Sequence, residues 1–397
     1  MSRDFKGRNF KGRPLRSSVT IEGIDRTPHR AFMRAMGLDD EAIGKPMIGI
    51  VSQQGEMTPC NMTHGQHVEW AHDGILAAGG TPRSFTTISV SDGVGMAHEG
   101  MKFSLVSREL IADSIEAVVH GHAYDGLVGF GGCDKTLPGV MMGMVRCNVP
   151  SVFVYGGSAL PGRFRGRDVS VLDAYEAVGA VQKGSMTEEE LRLLEMSCKP
   201  SFGACAGQFT ANTMAMVSEA LGLTVPNSSM VPGVYSERAG IARRAGRLVL
   251  DILANGGPLP RDIVTRKALE NACALVAATG GSTNAVMHIP AIAHEAGIRF
   301  TMEDAAEVLA RTPLIGNLRP GGQYHAKDVY EVGGAQVIIR ALIESGHMHG
   351  DTLTVTGRTL AEEAASAPAP DGEVIRPVPQ PLSDSGGVVV LKGSLCP

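Results

Sequence analysis

Cys60, Asp92, the contiguous Cys133-Asp134-Lys135 and Cys205 are the residues of this chain whose types and settings best suit chemistry. Cys60 stands in Pro-Cys-Asn and Asp92 is followed by Gly93. The triplet follows Gly131-Gly132, and Cys205 is framed by Gly203-Ala204 and Ala206-Gly207. Each lies in a glycine or proline loop, where the backbone can aim a side chain at a ligand. The thiols are too scattered for the paired spacing of a small structural zinc site. Three such thiolates suit an iron–sulfur cluster with one iron not filled by cysteine. An open iron is a Lewis acid that takes a hydroxyl as leaving group. Asp92 and Asp134 are hard oxygen donors of the kind Mg²⁺ prefers. Helix capping is the plainer alternative, and for Asp92 taken alone it is the better one. Lys135 neutralises the aspartates, serves as a base, or becomes an anionic ligand by taking up CO₂ as a carbamate.

Gly280-Gly281-Ser282-Thr283-Asn284 opens a helix and offers N–H groups and hydroxyls as a cradle for a substrate carboxylate, although a capped glycine turn explains it equally. Cys147, Cys198 and Cys273 read as small buried apolar residues. His64, His67 and His72 do not share one helical face. His120 with His122, and His347 with His349, read as solvated ends, so no histidine is assigned to metal. Gly129-x-Gly131 runs into Cys133 instead of a third glycine, which excludes the dinucleotide fingerprint, and no Walker A pattern is present.

These residues need elements to position them. Residues 47–52, 86–91, 126–130 and 151–155 are short runs rich in apolar and β-branched side chains, and read as strands. Helical patterns fall between them, the first over 63–78, another after Asp92-Gly93 and a third opening at Pro138-Gly139. This alternation predicts an α/β fold with a largely parallel sheet flanked by helices. Cys60, Asp92 and Cys133 each follow a strand end, where open parallel sheets bind ligands. Beyond residue 185 the pattern turns helical: Thr187 and Glu190 form a capping box, and 208–221, 236–255 and 302–311 read as helices.

The 397 residues hold 36 Lys+Arg against 41 Asp+Glu, a net charge of −5, which disfavours nucleic acid as the main partner. No run approaches the ~18 apolar residues of a membrane span. Glycine, at 50 residues, is about twice as frequent as usual, which suits an enzyme built on loops. Seven cysteines, an odd number widely spread, with no apolar segment at the N-terminus, predict a reducing, cytoplasmic setting. Residues 1–33 read as an N-terminal arm, cationic over 1–16 and suited to packing on a partner subunit. Residues 34–366 read as the α/β domain, with a late strand at 352–356. Five prolines between Pro368 and Pro381 read as a linker, and 386–393 as a strand. Residues 367–397 are thus expected to be a linker and the first strand of a β-rich C-terminal domain that breaks off.

In these segments the chain resembles the dihydroxy-acid and sugar-acid (aldonate, phosphogluconate) dehydratase family. The resemblance is carried in order by Pro59-Cys60-Asn61, Ser91-Asp92-Gly93 through His98-Glu99-Gly100-Met101, and Ser107-Arg108-Glu109-Leu110-Ile111-Ala112-Asp113-Ser114. It continues in Cys133-Asp134-Lys135-Thr136-Leu137-Pro138-Gly139, Gly203-Ala204-Cys205, Thr210-Ala211-Asn212-Thr213-Met214, Gly280 to Asn284 and Leu391-Lys392-Gly393. The resemblance implies that Cys60, Cys133 and Cys205 hold a [2Fe-2S] cluster, with [4Fe-4S] the alternative. It implies that Asp92, Asp134 and a carbamylated Lys135 bind Mg²⁺. The reaction implied is dehydration of a 2,3-dihydroxy acid to the 2-keto acid, the cation gripping the carboxylate and 2-hydroxyl and the open iron the 3-hydroxyl.

Family members carry the catalytic base, a serine, and a further Mg²⁺ carboxylate in a C-terminal domain, so the base has no candidate in this sequence. Ala97 and Ala206 stand where glycine is common. Pro138-Gly139 after the Cys-Asp-Lys triplet and the Gly203 to Asn212 stretch more closely resemble the branch acting on 2,3-dihydroxy-3-methylbutanoate and -pentanoate in valine and isoleucine synthesis. A sugar-acid dehydratase is the alternative, and a catalytically dead truncated cluster-binding protein another. A small dihydroxy acid and a second copy of the chain are the expected partners.

Overall fold

The computed structural model describes residues 5–395, so Arg3, Asp4 and Cys396 lie outside the described residues. Four strands, β1 (Met47–Ser52), β2 (Thr81–Thr86), β3 (Gly126–Gly131) and β4 (Ser151–Tyr155), form one parallel sheet in the order β2-β1-β3-β4. Helices α1 (His64–Ala77), α2 (Ser104–Gly121) and α3 (Thr136–Cys147) make the three crossovers. Every residue of β1, β3 and β4 is buried, so both faces of the sheet are covered. That is why these strands read as unbroken apolar runs.

Helix α1 packs on α5 (Glu237–Asn255), and α2 packs on α3. A Cβ on Gly139 would stand 2.8 Å from the Arg108 carbonyl, so α3 approaches α2 as closely as only glycine permits. Helices α4 (Thr210–Leu221), α6 (Arg266–Thr279) and α7 (Ala285–Glu295) extend the core beyond α3. No helix among the described residues is long and apolar enough to cross a membrane.

Three expected strands are corrected. The second lies at 81–86 and not 86–91, its register running from Met47 opposite Thr81 to Ser52 opposite Thr86. It is an edge strand, which is where Pro82 is tolerated. After Thr87, whose N–H donates to the Ser52 carbonyl at 3.0 Å, the alternating run to Ser91 joins no ladder and carries the chain towards Asp92, leaving Ile88 46% exposed. Residues 352–356 make a tight turn closed by Thr354 N–H donating to the Arg358 carbonyl. Residues 386–393 form no ladder; Gly386 and Gly387 donate to the Leu309 and Ala277 carbonyls. A β-rich local composition cannot make a strand where no neighbouring strand supplies hydrogen-bond partners.

The N-terminal arm and the proline-rich stretch both pack on the body of the chain. The arm buries Phe5 and Ile21 with Ile43 and Met47, and Ser17 N–H and Oγ donate to the two Asp125 oxygens at 2.8 and 2.5 Å. The arm thus packs on its own chain. The proline-rich stretch, expected as a linker, buries Val374 and Ile375 and pairs through isolated bridges at Gly316–Ile375 and Leu314–Ser383.

Candidate active site

The chain leaves β1 towards β2 on one side and later enters β3 on the other. In an open parallel sheet, a crevice opens beyond the strand ends where the connections diverge in this way. Cys60 is on the loop after β1 and Cys133 directly follows β3, so the two strands flanking that divergence each deliver a thiol. The buried Cys60 and Cys133 thiols are neighbours whose mutual interaction holds Cys133 below the ordinary thiol range and, together with burial, pushes Cys60 well up. Cys205 is raised by burial and lies close enough to feel the charge of Cys133.

Backbone contacts lock these loops together. Gly203 N–H donates to the Pro59 carbonyl at 2.9 Å, and Ala204 N–H to the Gly157 carbonyl at 2.9 Å. Asn212 on α4 donates to the Cys205 and Gly207 carbonyls at 2.7 and 2.6 Å, and accepts the Tyr155 hydroxyl at 2.7 Å. Lys199 donates to the Gly203 and Ala204 carbonyls. The Thr136 hydroxyl accepts from the Gly132 and Cys133 N–H groups, shaping the turn out of β3. A Cβ on Gly132 would stand 2.5 Å from the Cys60 carbonyl and 2.7 Å from His64 Nε2, so only glycine lets the two loops meet.

Beside the thiols, Lys135 donates to Asp92 Oδ2 at 2.7 Å and Asp134 Oδ1 at 2.8 Å, its side chain 4% exposed. Ser104 donates to the other Asp92 oxygen at 2.8 Å. Burial pushes the Asp134 carboxyl up, but His288 and the Lys135 charge outweigh it and hold it below the usual range. Burial likewise lowers Lys135, and the two carboxylates more than reverse this. Asn284 donates to Asp134 Oδ1 and to the Thr210 hydroxyl, which also pairs with Ser282 at 2.8 Å. Thr283 is exposed and makes none of these contacts.

Cys60, Cys133, Cys205, Asp92, Asp134 and Thr210 line one cavity of about 220 Å³. Five of the nine candidates chosen from sequence therefore line it, Lys135 bonds to two of them, and Ser282 and Asn284 stand at its edge. Among the described residues, no three His, Cys, Asp or Glu side chains converge tightly enough for a single ion. The thiols instead surround a space suited to a larger group.

Cys147, Cys198 and Cys273 are buried away from this cavity, as expected of apolar cysteines. His64 and His67 are buried in α1 and unionised, held down to about 3 chiefly by burial. His349 is not a solvated end: its Nε2 pairs with Glu270 at 2.8 Å. Ala97 has φ +63°, a left-handed conformation that glycine adopts without strain. Thr210, Asn212, Lys199 and His288 were missed as individual residues. Only the Thr210 to Met214 motif marked any of them.

Residues 45–363 match the family described as "Dihydroxy-acid/6-phosphogluconate dehydratase N-terminal". The chain is 69% identical over 383 residues to dihydroxy-acid dehydratase 3 of Bradyrhizobium diazoefficiens, covering 96% of this chain and 66% of that protein. It is 60% identical over 382 residues to dihydroxy-acid dehydratase 2 of Bordetella bronchiseptica, covering 96% and 67%. With dihydroxy-acid dehydratase of Parvibaculum lavamentivorans it shares 52% over 391 residues, covering 98% and 68%. The chain spans about two thirds of the length of these curated relatives.

Proposed function

The chain belongs to the dihydroxy-acid/6-phosphogluconate dehydratase family, and we propose that it forms the cofactor-holding part of a hydro-lyase. The reaction proposed is dehydration of a 2,3-dihydroxy carboxylic acid to the 2-keto acid. The substrate class is 2,3-dihydroxy-3-methylbutanoate and its pentanoate homologue, the place branched-chain amino-acid synthesis, and the setting the cytoplasm. One observation carries this reading: three thiols and two carboxylates from separate loops line one cavity, with Cys133 and Asp134 side by side on one turn.

The donor set fits the two groups the family implies. Three free thiols, Cys60 and Cys133 buried and Cys205 partly so, line a cavity large enough for an iron–sulfur cluster. Two carboxylates beside them, bridged by one amine, suit Mg²⁺, and carbamylation of Lys135 would turn that ammonium into a third anionic ligand. When bound, such groups polarise the 2-hydroxyl and carboxylate of a substrate and accept its 3-hydroxyl as leaving group.

The chain's own residues do the rest. Cys133 and Asp134, adjacent in sequence, set the two halves of the site one residue apart, matched to adjacent oxygens of one substrate. Asn284, Thr210 and Ser282 place donors beside Asp134, where a substrate carboxylate can be oriented. Thr283, exposed on the same turn, is assigned to the substrate mouth. The base that removes the C2 proton is proposed to lie in the part of the relatives that this chain does not cover. A second copy of the chain is proposed as partner.

The test is a keto-acid assay of anaerobically prepared chain with 2,3-dihydroxy-3-methylbutanoate and with an aldonate. Faster turnover of the first is expected. Faster turnover of the aldonate assigns the sugar-acid reaction, and no keto acid from either overturns activity of this chain alone.

A further inference from the structure

His288 is fully buried on α7 and lies between two charged groups from distant parts of the chain. Its Nδ1 stands 3.1 Å from Arg108 Nη1 on α2. A guanidinium only donates, so Nδ1 must accept, and the ring proton is on Nε2. Arg108 is itself steered by Glu109, whose Oε1 accepts from both Nε and Nη2 of the guanidinium. That Nε2 is buried without a hydrogen-bond partner and stands 4.0 Å from Asp134 Oδ1. A buried donor left unpaired costs free energy, so its place beside a carboxylate calls for an explanation.

The same Asp134 oxygen accepts from Lys135 at 2.8 Å and Asn284 at 3.2 Å. A shift of about 1 Å would bring the carboxylate within hydrogen-bond distance of His288 Nε2.

We propose that His288 is a positioning residue for Asp134: its Nε2–H, fixed in that tautomer by Arg108, takes up one carboxylate oxygen and turns the other towards the bound cation. This rests on the functional reading above, which makes Asp134 a cation ligand. Donors one step behind a metal ligand commonly set its orientation, and removing them weakens metal binding by about 10–100-fold.

The test is an Mn²⁺ titration of the cluster-loaded chain, followed by the electron paramagnetic resonance of free Mn²⁺. His288→Ala is expected to bind Mn²⁺ about 10–100-fold more weakly than the parent, with iron and sulfide content unchanged. His288→Gln, whose amide N–H reaches the same place, is expected to recover most of the loss. Arg108→Gln keeps the ring but frees its tautomer, and is expected to fall between; it decides the matter if His288→Ala fails to fold. Equal Mn²⁺ binding by the parent and His288→Ala overturns this inference alone, as does a His288→Gln variant no better than His288→Ala. Absence of Mn²⁺ binding by the parent overturns the functional reading and this inference with it.

Discussion

The Lys135 ammonium lies 2.7 Å from the Asp92 carboxylate, tying the loop after β3 to the segment after β2 across 43 residues of sequence. With Asp134 at 2.8 Å on its other side, one cation balances two largely buried anions. Removing a single partner of a buried ion pair leaves uncompensated charge and typically costs about 3–5 kcal/mol. Lys135→Met is therefore expected to lower the unfolding free energy of the metal-free chain, read from urea titration, by an amount in that range. Adding Asp92→Asn should return part of it. A Lys135→Met chain as stable as the parent would show that the contact carries no weight in the fold.

The three cavity cysteines and the three buried elsewhere make an internal control. Cys60→Ser, Cys133→Ser and Cys205→Ser are each expected to lower iron and sulfide in anaerobically purified protein to a small fraction of the parent. Cys147→Ser and Cys273→Ser should leave both unchanged, since neither residue lines the cavity. Intact cluster content after any one of the first three removes that residue from the ligand set.

Asn212 holds the Cys205 loop through two donated bonds and accepts the Tyr155 hydroxyl. Asn212→Ala leaves buried polar groups unpaired, each costing about 1–3 kcal/mol. The expected result is a lower unfolding midpoint together with reduced cluster content, because the freed loop carries Cys205. Loss of stability with full cluster content would confine Asn212 to the fold.

His64 is fully buried and its folded value lies at about 3, below the ordinary histidine value near 6.5. The unfolded chain then binds the extra proton first, so stability rises with pH through this window. The contribution is fully present above about 6.5 and is lost as pH falls towards 3. Between pH 7 and pH 5 this one group should remove about 2 kcal/mol, and His64→Gln should lessen the acid loss by that amount. Urea titrations at the two pH values measure it; identical acid losses for parent and variant would show that His64 is protonated in the folded chain.

Strands β1, β3 and β4 were legible because sheets covered on both faces demand unbroken apolar runs. Residues 86–91, 352–356 and 386–393 carry the same local composition, but pairing depends on a neighbour that local composition does not specify. The loops bearing Cys60, Asp92, Cys133, Asp134 and Lys135 were equally legible, since glycine and proline mark where a backbone turns to meet a ligand. His288 was not: its partners Arg108 and Asp134 are both more than 150 residues away.

Residue types and their loops determine by themselves the chemistry open to this chain, because thiols, carboxylates and an amine keep their donor character wherever they lie. Only the tertiary structure decides which of them share a cavity and which donors aim them. The reason is the sheet order β2-β1-β3-β4, which opens a crevice between strands far apart in sequence, and side-chain contacts such as Asn212 to Cys205 and Lys135 to Asp92 that exist only once the crevice has formed.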